Sequence, residues 1–600
     1  MAMVETLGKP DAGDDFLTSL TGKRWRFRKV DQVKAQKLAQ DHGLQPLVAS
    51  ILNARGFTNE QVEKHLHPKL RDWLPDPFSF RDMDKAVARI ISAIEQKEKI
   101  ALFGDYDVDG ATSTALMARF LRFFGLAPTV HIPDRLLEGY GPNVNAFKEF
   151  IANHHTLIIT LDCGVVAYEP LKFAAEHNTD VVVLDHHMAA PELPPAVAIV
   201  NPNRIDEKAG FNYLAAVGVT FVTLVAVCQR LKEKNIDVPD LREWLDLVAL
   251  GTVCDVVPLV DLNRALVAQG LKIMSHRKNT GLSALADITG LDQAPTGYHM
   301  GFVYGPRINA GGRIANSSLG VELLSSDCIQ TTGKIAQQLD DLNKERQAIE
   351  RHSVEEAMGM VAREIDKHTH MIVLSHKEWH PGVIGLIAAR LKEHYQRPTC
   401  IIALDANGKG KASGRSITGI DLGALVIKAR MNGLILEGGG HAMAAGFSIS
   451  EENISALHEF FQDELRKEFG PQLPPPEIMI DSVLAPHGVQ LPVVKQLQML
   501  EPFGAGNASP KLLLSPVRLQ RVDIVKEKHL RLNITDIAGQ QRIGVMLFGQ
   551  AQTPLHQALN AINPQQQISI LGSLKLNSWQ GREEAQFIAD DIAVVGESNG

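Results

Sequence analysis

Between about residues 80 and 260 the chain alternates short, continuous apolar runs with helical patterns, and no other feature of the sequence narrows the fold so far. Ile100-Ala-Leu-Phe103, Thr129-Val-His-Ile132, Leu157-Ile-Ile-Thr-Leu161 and Val181-Val-Val-Leu184 are the apolar runs, and helical stretches such as 111–124 lie between them. Runs apolar throughout suit strands covered on both faces. Strands of that kind alternating with helices are the signature of βαβ units and a mainly parallel sheet.

A second α/β block is predicted over about 370–470, with strands at Met371-Ile-Val-Leu374 and 399–404. Between the blocks, 331–366 reads as one long polar helix: Ile335, Leu339, Leu342 and Ile349 form a single apolar stripe and charges fill the rest. At 1.5 Å per residue it spans roughly 50 Å, enough to bridge two domains, which is preferred over a helix packed along one. Pro471-Gln-Leu-Pro-Pro-Pro476 is a linker signal. Beyond it, alternating short strands (517–525, 530–534, 568–576) suit a small β-barrel. Residues 1–20 look like a loose tail, and 21–75 mix basic and aromatic residues with short helical patterns. The fold class is thus α/β multidomain. The expected divisions are 1–75 (tail and helical segment), 76–285 (parallel-sheet domain), 286–366 (connecting region with the long helix), 367–470 (smaller α/β domain) and 476–597 (β-barrel).

Sixty-one Lys and Arg against 69 Asp and Glu give a formal charge of −8, which excludes a histone-like coat of positive charge but not a nucleic-acid enzyme with a local basic track. Five scattered cysteines, none in a CxxC pair, exclude a thiolate zinc site and a disulfide framework, and point to a reducing compartment. No apolar leader is visible over 1–15. The uncharged stretch 209–229 has an apolar centre too short to span a bilayer and carries Gly218, Thr220 and Thr223, so a fully buried helix is expected. The expectation is a cytoplasmic protein without membrane association.

Asp105-Tyr-Asp107-Val-Asp109-Gly110 follows the strand 100–103 directly. Ligands bind beyond the carboxyl ends of strands in open parallel sheets. Three carboxylates at alternate positions repel one another there, and a hard divalent cation, Mg²⁺ or Mn²⁺, resolves the repulsion. A capping Asx-turn accounts for one of the three. An EF-hand needs a Glu at loop position twelve, where Leu116 stands. The pattern then recurs: Asp162 ends the strand 157–161, and Asp185-His186-His187 ends 181–184. Parallel strand ends face one way, so these groups converge on what reads as a two-metal centre. Asp255, in Gly251-Thr-Val-Cys-Asp255-Val-Val-Pro258, is an acid in an apolar stretch and a further candidate ligand. Cys163 and Cys254, beside two of the acids, read as small buried apolar residues.

In order along the chain, Asp105-Tyr-Asp-Val-Asp-Gly, Leu161-Asp-Cys-Gly164, Asp185-His-His187 and Gly251-Thr-Val-Cys-Asp255 resemble the four motifs of the DHH phosphoesterase superfamily. Gly438-Gly-Gly-His441-Ala-Met-Ala-Ala-Gly446 resembles the signature of the associated DHHA1 domain. Ser413-Gly-Arg415-Ser, Trp379-His-Pro-Gly-Val-Ile-Gly385, Arg307-Ile-Asn-Ala-Gly-Gly-Arg313 and Glu501-Pro-Phe-Gly-Ala-Gly-Asn507 narrow the resemblance to the bacterial single-strand-specific 5′→3′ DNA exonucleases of that superfamily, over roughly 25–597. One position departs. Many DHH enzymes carry a metal-binding His four residues before the middle Asp of the first motif, where this chain has Phe103, and Asp105 is the candidate to replace it.

The resemblance implies hydrolysis of phosphodiesters by two divalent cations, Mn²⁺ or Mg²⁺, which activate a hydroxide and stabilise the leaving oxygen. By analogy Asp162 bridges the metals. Asp107, with Asp105, holds one, and Asp109, His186 and Asp255 hold the other. His187, beside Asp185, is assigned to catalysis as phosphate ligand or proton donor. A 5′-phosphate pocket between the two α/β domains is implied, with Ser413, Arg415 and Arg135, because guanidinium donors grip phosphate oxygens in pairs. A surface salt bridge is an equal reading of Arg135. His441 follows three glycines that let backbone approach phosphate closely. Arg307 and Arg313 are expected to contact the strand. The C-terminal domain resembles an oligonucleotide-binding (OB) fold, in which Arg518, Arg521, Lys526, Lys528 and Arg531 form a basic stretch suited to a single strand. The implied partners are single-stranded DNA with a 5′ end, a single-stranded-DNA-binding protein and a helicase of the RecQ type. The implied setting is recombination and repair, with a monomer as the default. The rivals are a small-substrate DHH phosphoesterase, for which a C-terminal barrel has no evident use, and a scaffold with a dead site, which would lack metal ligands present here.

Overall fold

The computed structural model describes residues 16–134, 138–366, 368–579 and 582–595. It divides into two compact units. One comprises Trp73–Pro474 with Gly504–Gly506, and the other joins the chain up to Asp72 with Pro475–Phe503 and everything from Asn507 onward.

The first unit is built on the alternation seen in the sequence. Strands β1 (Ile100–Gly104), β2 (Thr129–His131), β3 (Leu157–Leu161), β4 (Asp180–Leu184) and β5 (Ala198–Val200) form a sheet of order β2-β1-β3-β4-β5, parallel throughout. Every residue of β1, β3 and β5 is buried, as apolar strands covered on both faces require. The register aligns the strand ends. Gly104 pairs with Leu161 and Leu161 with Leu184, so the next residues on the three central strands are Asp105, Asp162 and Asp185. Three helices close over this carboxyl edge: α1 (Val108–Phe123), α2 (Ala216–Glu233) and α3 (Leu245–Cys254). Helix α2 is the uncharged stretch expected to be a buried helix, and no helix among the described residues is long and apolar enough to cross a membrane.

After α4 (Gly305–Ile314) comes α5 (Ile329–Glu364), the predicted long helix. Near its start Ile335, Ala336 and Leu339 are buried, and near its end Ala357 and Val361 join the core of the second α/β half with Trp379, Ile387 and Leu391. The helix therefore links the two halves. That second half is a five-stranded sheet of β6 (Ile372–His376), β7 (Thr399–Leu404), β8 (Lys409–Arg415), β9 (Glu437–His441) and β10 (Ala444–Ser450), in the order β9-β10-β8-β7-β6, with α6 (Ile384–Tyr395) packed against it.

The second unit is a β-barrel with additions. The strand Leu512–Val525 pairs antiparallel with His529–Asp536 and with Gln567–Trp579, and a parallel pairing of Arg542–Leu547 with Arg582–Val594 completes the ring. The N-terminal segment differs from the tail and helices expected. Phe16–Thr18 and Arg24–Phe27 are strands of a small sheet with Glu477–Ile480, and the helices Gln32–His42, Pro46–Ala54 and Asn59–Leu66 follow. Leu38, Ile51, Leu52 and Val62 share one core with Leu514, Leu532, Ile570 and Phe587 of the barrel. Trp25 is fully buried against Leu513 and Leu571. Only Trp25 of Arg24–Phe27 is buried, which is why a basic segment hid a strand. The part of the expected tail at 1–15 lies outside the described residues.

Candidate active site

The acids on the three strand ends are held by local backbone chemistry before any ligand is considered. Asp107 caps α1, its Oδ1 accepting from the backbone N–H of Asp109 at 2.9 Å and of Gly110 at 3.1 Å. A Cβ on Gly110 would collide with the carbonyl of Asp105, so only glycine lets the acidic loop fold back onto the helix. Asp162 sits in the left-handed region at φ 62°. Asp109 is sealed in by the N-terminus of α2: Ala216 N–H donates to its Oδ2 at 2.6 Å and Val217 N–H to its Oδ1 at 2.9 Å. A Cβ on Gly251 of α3 would stand 2.9 Å from Asp109 Oδ1, which is how the helix that ends at Asp255 lies so close.

These supports gather three overlapping clusters of donor atoms, each within 4.8 Å: Asp105, Asp107 and Asp162; Asp109, His186 and Asp255; and Asp162, His186 and His187. His186 Nδ1 lies 3.1 Å from the carbonyl of Leu214, to which it donates, so its Nε2 lone pair faces inward. That Nε2 is 3.3 Å from Asp162, 3.6 Å from Asp255 and 4.0 Å from Asp109. Burial, with the charge of neighbouring His187, pushes His186 down to about 4, the neutral form a metal needs. Burial and then the charge of Asp107 raise Asp109 to about 7. Burial and then Asp109 raise Asp255 to about 9 and Asp162 well above the carboxylate range.

Asp162 Oδ1 and Asp255 Oδ2 are buried without a hydrogen bond, an unfavourable state for a carboxylate oxygen that a cation relieves. Hard oxygens with one neutral imidazole suit Mn²⁺ or Mg²⁺, so the residues present fit two such ions. Phe103 takes no part. Its ring is buried in the core, 5.3 Å from that of His131 and 6.3 Å from that of Phe147, while Asp105 joins the cluster.

Asp185, assigned with His187 to catalysis from the motif, is enclosed by hydrogen-bond donors. Its Oδ2 accepts from Val165 N–H at 3.0 Å, and its Oδ1 from His186 N–H, His187 N–H and His187 Nδ1 at 2.7, 3.1 and 2.8 Å. With its lone pairs committed to four donors, it positions the two histidines. Burial opposes charge on both members of the Asp185–His187 pair, but their hydrogen bond and mutual attraction prevail, bringing Asp185 to about 2 and His187 to about 9. His187 is therefore an imidazolium at neutral pH.

Sequence reasoning missed several supports. Asn201 and Asn203 donate to the carbonyls of His187 and His186, and the Tyr140 hydroxyl lies 3.1 Å from His187 Nε2. The only signal for the two asparagines was their place just beyond the apolar run 198–200, which is too common to act on, and Tyr140 carried none.

A second feature lies on the other half of the unit. Lys411, Ser413 and Arg415 alternate along β8, so they share one face, and with Arg313 and Gly385 they line a cavity of about 500 Å³. Arg415 Nη1 donates to Ser413 Oγ at 3.1 Å, and Arg313 Nη1 to the carbonyl of Gly382 at 2.9 Å. Two guanidinium groups and an ammonium face Glu437, the one acid of the lining among the described residues, a setting for an anion. Lys411 was not singled out in the sequence, where a lysine in a glycine-rich run looks like any solvated residue.

Arg307, expected to contact the nucleic-acid strand, bonds Asp340 of α5 and the carbonyl of Val303, both at 2.8 Å, and so ties α4 to α5. His441 ends β9, exposed and outside the cavity lining. Arg135 lies outside the described residues. In the second unit, Arg521, Lys526, Lys528 and Arg531 are exposed along one barrel hairpin, Arg521 paired with Asp523, while Arg518 is half-buried and donates to the carbonyl of Ile537.

A parallel sheet whose carboxyl edge carries a two-metal acid–histidine centre, joined by a long helix to a smaller α/β half, defines a metal-dependent phosphoesterase of the DHH class. Family models agree: "DHH family, N-terminal domain" matches 99–252, "DHHA1 domain" matches 368–467 and "RecJ OB domain" matches 480–591. The chain belongs to the RecJ family. It is 35% identical over 580 residues to the single-stranded-DNA-specific exonuclease RecJ of Bacillus subtilis, covering 95% of this chain and 71% of that one. It is 33% identical over 581 residues to the Escherichia coli protein of the same name, covering 94% and 98%. The crystal structure of RecJ in complex with Mn²⁺ from Thermus thermophilus superposes with a TM-score of 0.78 at 28% identity, covering 95% of this chain and 79% of that one.

Proposed function

We propose that this protein is a single-stranded-DNA-specific 5′→3′ exonuclease that hydrolyses phosphodiester bonds with two divalent cations, Mn²⁺ or Mg²⁺, and releases 5′-mononucleotides in DNA recombination and repair. The observation that carries the reading is the convergence of Asp105, Asp107, Asp109, Asp162, His186 and Asp255 at one sheet edge. The bound cations supply a nucleophile at neutral pH and stabilise charge on the phosphoryl oxygens. Asp162, which joins Asp105 and Asp107 in one cluster and lies 3.3 Å from His186 of the other, would be the ligand common to both ions. Asp105 and Asp107 complete one site, and Asp109, His186 and Asp255 the other.

His187, protonated and fixed by Asp185, donates a hydrogen bond to the scissile phosphate or a proton to the departing 3′ oxygen. With Nδ1 committed to Asp185, the donor is Nε2, and the Tyr140 hydroxyl 3.1 Å from it shares that hydrogen with the substrate. The cavity of Arg313, Lys411, Ser413 and Arg415 receives the 5′-phosphate, and Arg135 and His441 contribute to holding it. Binding the end there sets polarity, because only a strand entering 5′ end first fills it. The barrel hairpin with Arg521, Lys526, Lys528 and Arg531 follows the strand's phosphates. This reading assigns catalysis to 76–285, connection to 286–366, end recognition to the DHHA1 domain at 367–470 and strand binding to the OB domain at 476–597. It includes a monomer working in the cytoplasm with a single-stranded-DNA-binding protein and a RecQ-type helicase.

The test is cleavage of internally labelled 5′-phosphorylated single strands in Mn²⁺ or Mg²⁺, with duplex and Asp162→Ala as controls. Mononucleotides released from the 5′ end, only from single strands and only by the wild type, support the reading. No cleavage by folded, metal-loaded protein overturns it.

A further inference from the structure

Just before α4 the chain passes through a π-helical turn, Met300–Tyr304, and two aromatic rings, Phe302 on it and Tyr298 just ahead of it, stand out into solvent. Tyr298 and Phe302 are stacked, with centroids 4.9 Å apart and planes 23° from parallel. They are 61% and 69% exposed, although rings of this size normally contribute through burial. The support beneath them is rigid, since Met300 and Tyr304 of the same turn are buried. π-helical turns recur at functional sites.

The turn is fastened to the metal centre. Cys254, which precedes Asp255, donates from Sγ to the carbonyl of Met300 at 3.4 Å. A Cβ on Gly305 would come within 2.6 Å of that sulfur, so the helix carrying the rings lies directly on the end of α3. Val256, on the other side of Asp255, is 69% exposed and held at φ 63°, a conformation a β-branched residue rarely adopts. Exposed apolar and aromatic residues thus stand on the two segments, Val256 and the turn at Met300, that adjoin the end of α3 next to this metal ligand.

We propose that Tyr298 and Phe302 form a stacking platform for the unpaired bases of the strand under cleavage. The proposal rests on the exonuclease reading and adds a base-binding element to it. Single-strand binders stack bases on exposed aromatic side chains because every base has a π-face, so affinity is gained without sequence preference. Bases in a duplex are already stacked and paired, so the platform favours single strands. A flat π-face beside a phosphodiester-cleaving centre fits nucleobases by continuity with that centre.

The experiment measures binding of the full-length, metal-free protein to fluorescent oligodeoxythymidine and to an equally long, equally charged spacer strand that lacks bases. Tyr298→Ala with Phe302→Ala is expected to weaken oligodeoxythymidine binding between about fivefold and about 150-fold, and to leave spacer binding unchanged. Tyr298→Trp with Phe302→Trp is expected to keep wild-type affinity and to add, over the emission of the five native tryptophans, a component quenched by oligodeoxythymidine but not by the spacer. Equal weakening on both strands, or none on either, overturns the platform, and a role in docking another protein would give the latter. Wild-type cleavage is measured alongside. Cleavage with unaltered binding by the Ala variant overturns the platform alone. A wild type that neither binds nor cuts single strands overturns the exonuclease reading with it.

Discussion

Asp185→Asn tests the site's electrostatics without any metal. Four donors converge on this carboxylate, one on Oδ2 and three on Oδ1. Asparagine keeps one carbonyl oxygen and replaces the other with an amide NH₂. In its better orientation the oxygen still meets the three donors from His186 and His187, and the NH₂ faces the buried N–H of Val165. Leaving that donor unsatisfied costs about 1–3 kcal/mol. The other three bonds fall from charge-assisted to neutral strength, about 1 kcal/mol each. The sum is about 4–6 kcal/mol, reduced to about 3–4 kcal/mol because the His187 side chain is 37% exposed and water screens its share.

Amide hydrogen exchange in chelator reads this directly. The amides of Val165, His186 and His187 are expected to lose roughly 3–4 kcal/mol of protection. The sign of the pH dependence follows from the shifts. His187 is raised to about 9, so its contribution is fully present below its unfolded value near 6.5 and is lost as pH rises through about 9. Asp185 is lowered to about 2, so its contribution is present above about 3.8 and is lost as pH falls through about 2. Both windows vanish in the variant, and its His187, left to burial that lowers it and to Asp105 and Asp255 that raise it, titrates below about 9. Protection within about 1 kcal/mol of wild type would refute the arrangement, since even one stranded buried donor exceeds that.

Asp162→Ala is expected to abolish cleavage and reduce Mn²⁺ stoichiometry in calorimetry, because its carboxylate belongs to two of the donor clusters, and unchanged stoichiometry would contradict a shared ligand. Mn²⁺ affinity should rise with pH between about 7 and about 9, because Asp109 and Asp255 must give up protons to bind it. Titrations in buffers of different ionisation heat check that release, and identical heats would exclude it. Arg415→Ala should erase the preference for a 5′-phosphate over a 5′-hydroxyl with less effect on kcat, measured on paired substrates, and a retained preference would remove the cavity from end recognition. Phe103→His should destabilise the unit by about 2–4 kcal/mol through lost packing, without tightening Mn²⁺ binding. Tighter binding would show that this position does reach the centre.

The parts of the fold legible in sequence were those whose burial left a mark. β1, β3 and β4 are continuous apolar runs that stop at an acid, so both the strands and the convergence of Asp105, Asp162 and Asp185 could be read from residue order. β8 and β9 could not. Lys409–Arg415 and Glu437–His441 are rich in glycine and charge, and they are strands because neighbouring strands supply hydrogen bonds along their length. The ion pair of Arg307 was hidden for a related reason: Asp340, its partner, is 33 residues away, and one sequence shows no such pairing. The motif placed Asp185 at the site, but the four donors that fix its role come from backbone geometry, which no residue type announces.

The second unit is discontinuous, and that governs how the protein is made. Trp73–Pro474 is an unbroken stretch apart from Gly504–Gly506, so nearly all of it leaves the ribosome before any barrel strand exists. Leu38, Ile51, Leu52 and Val62 emerge first yet find Leu514, Leu532, Ile570 and Phe587 only when the last segment has been synthesised. For most of translation the earliest helices carry an apolar face with nothing to cover it. Such contacts of high sequence separation form slowly and leave the nascent chain open to aggregation. The helices carrying Leu38, Ile51, Leu52 and Val62 therefore become native only after the barrel strands are made, although they precede nearly all of the first unit in the chain.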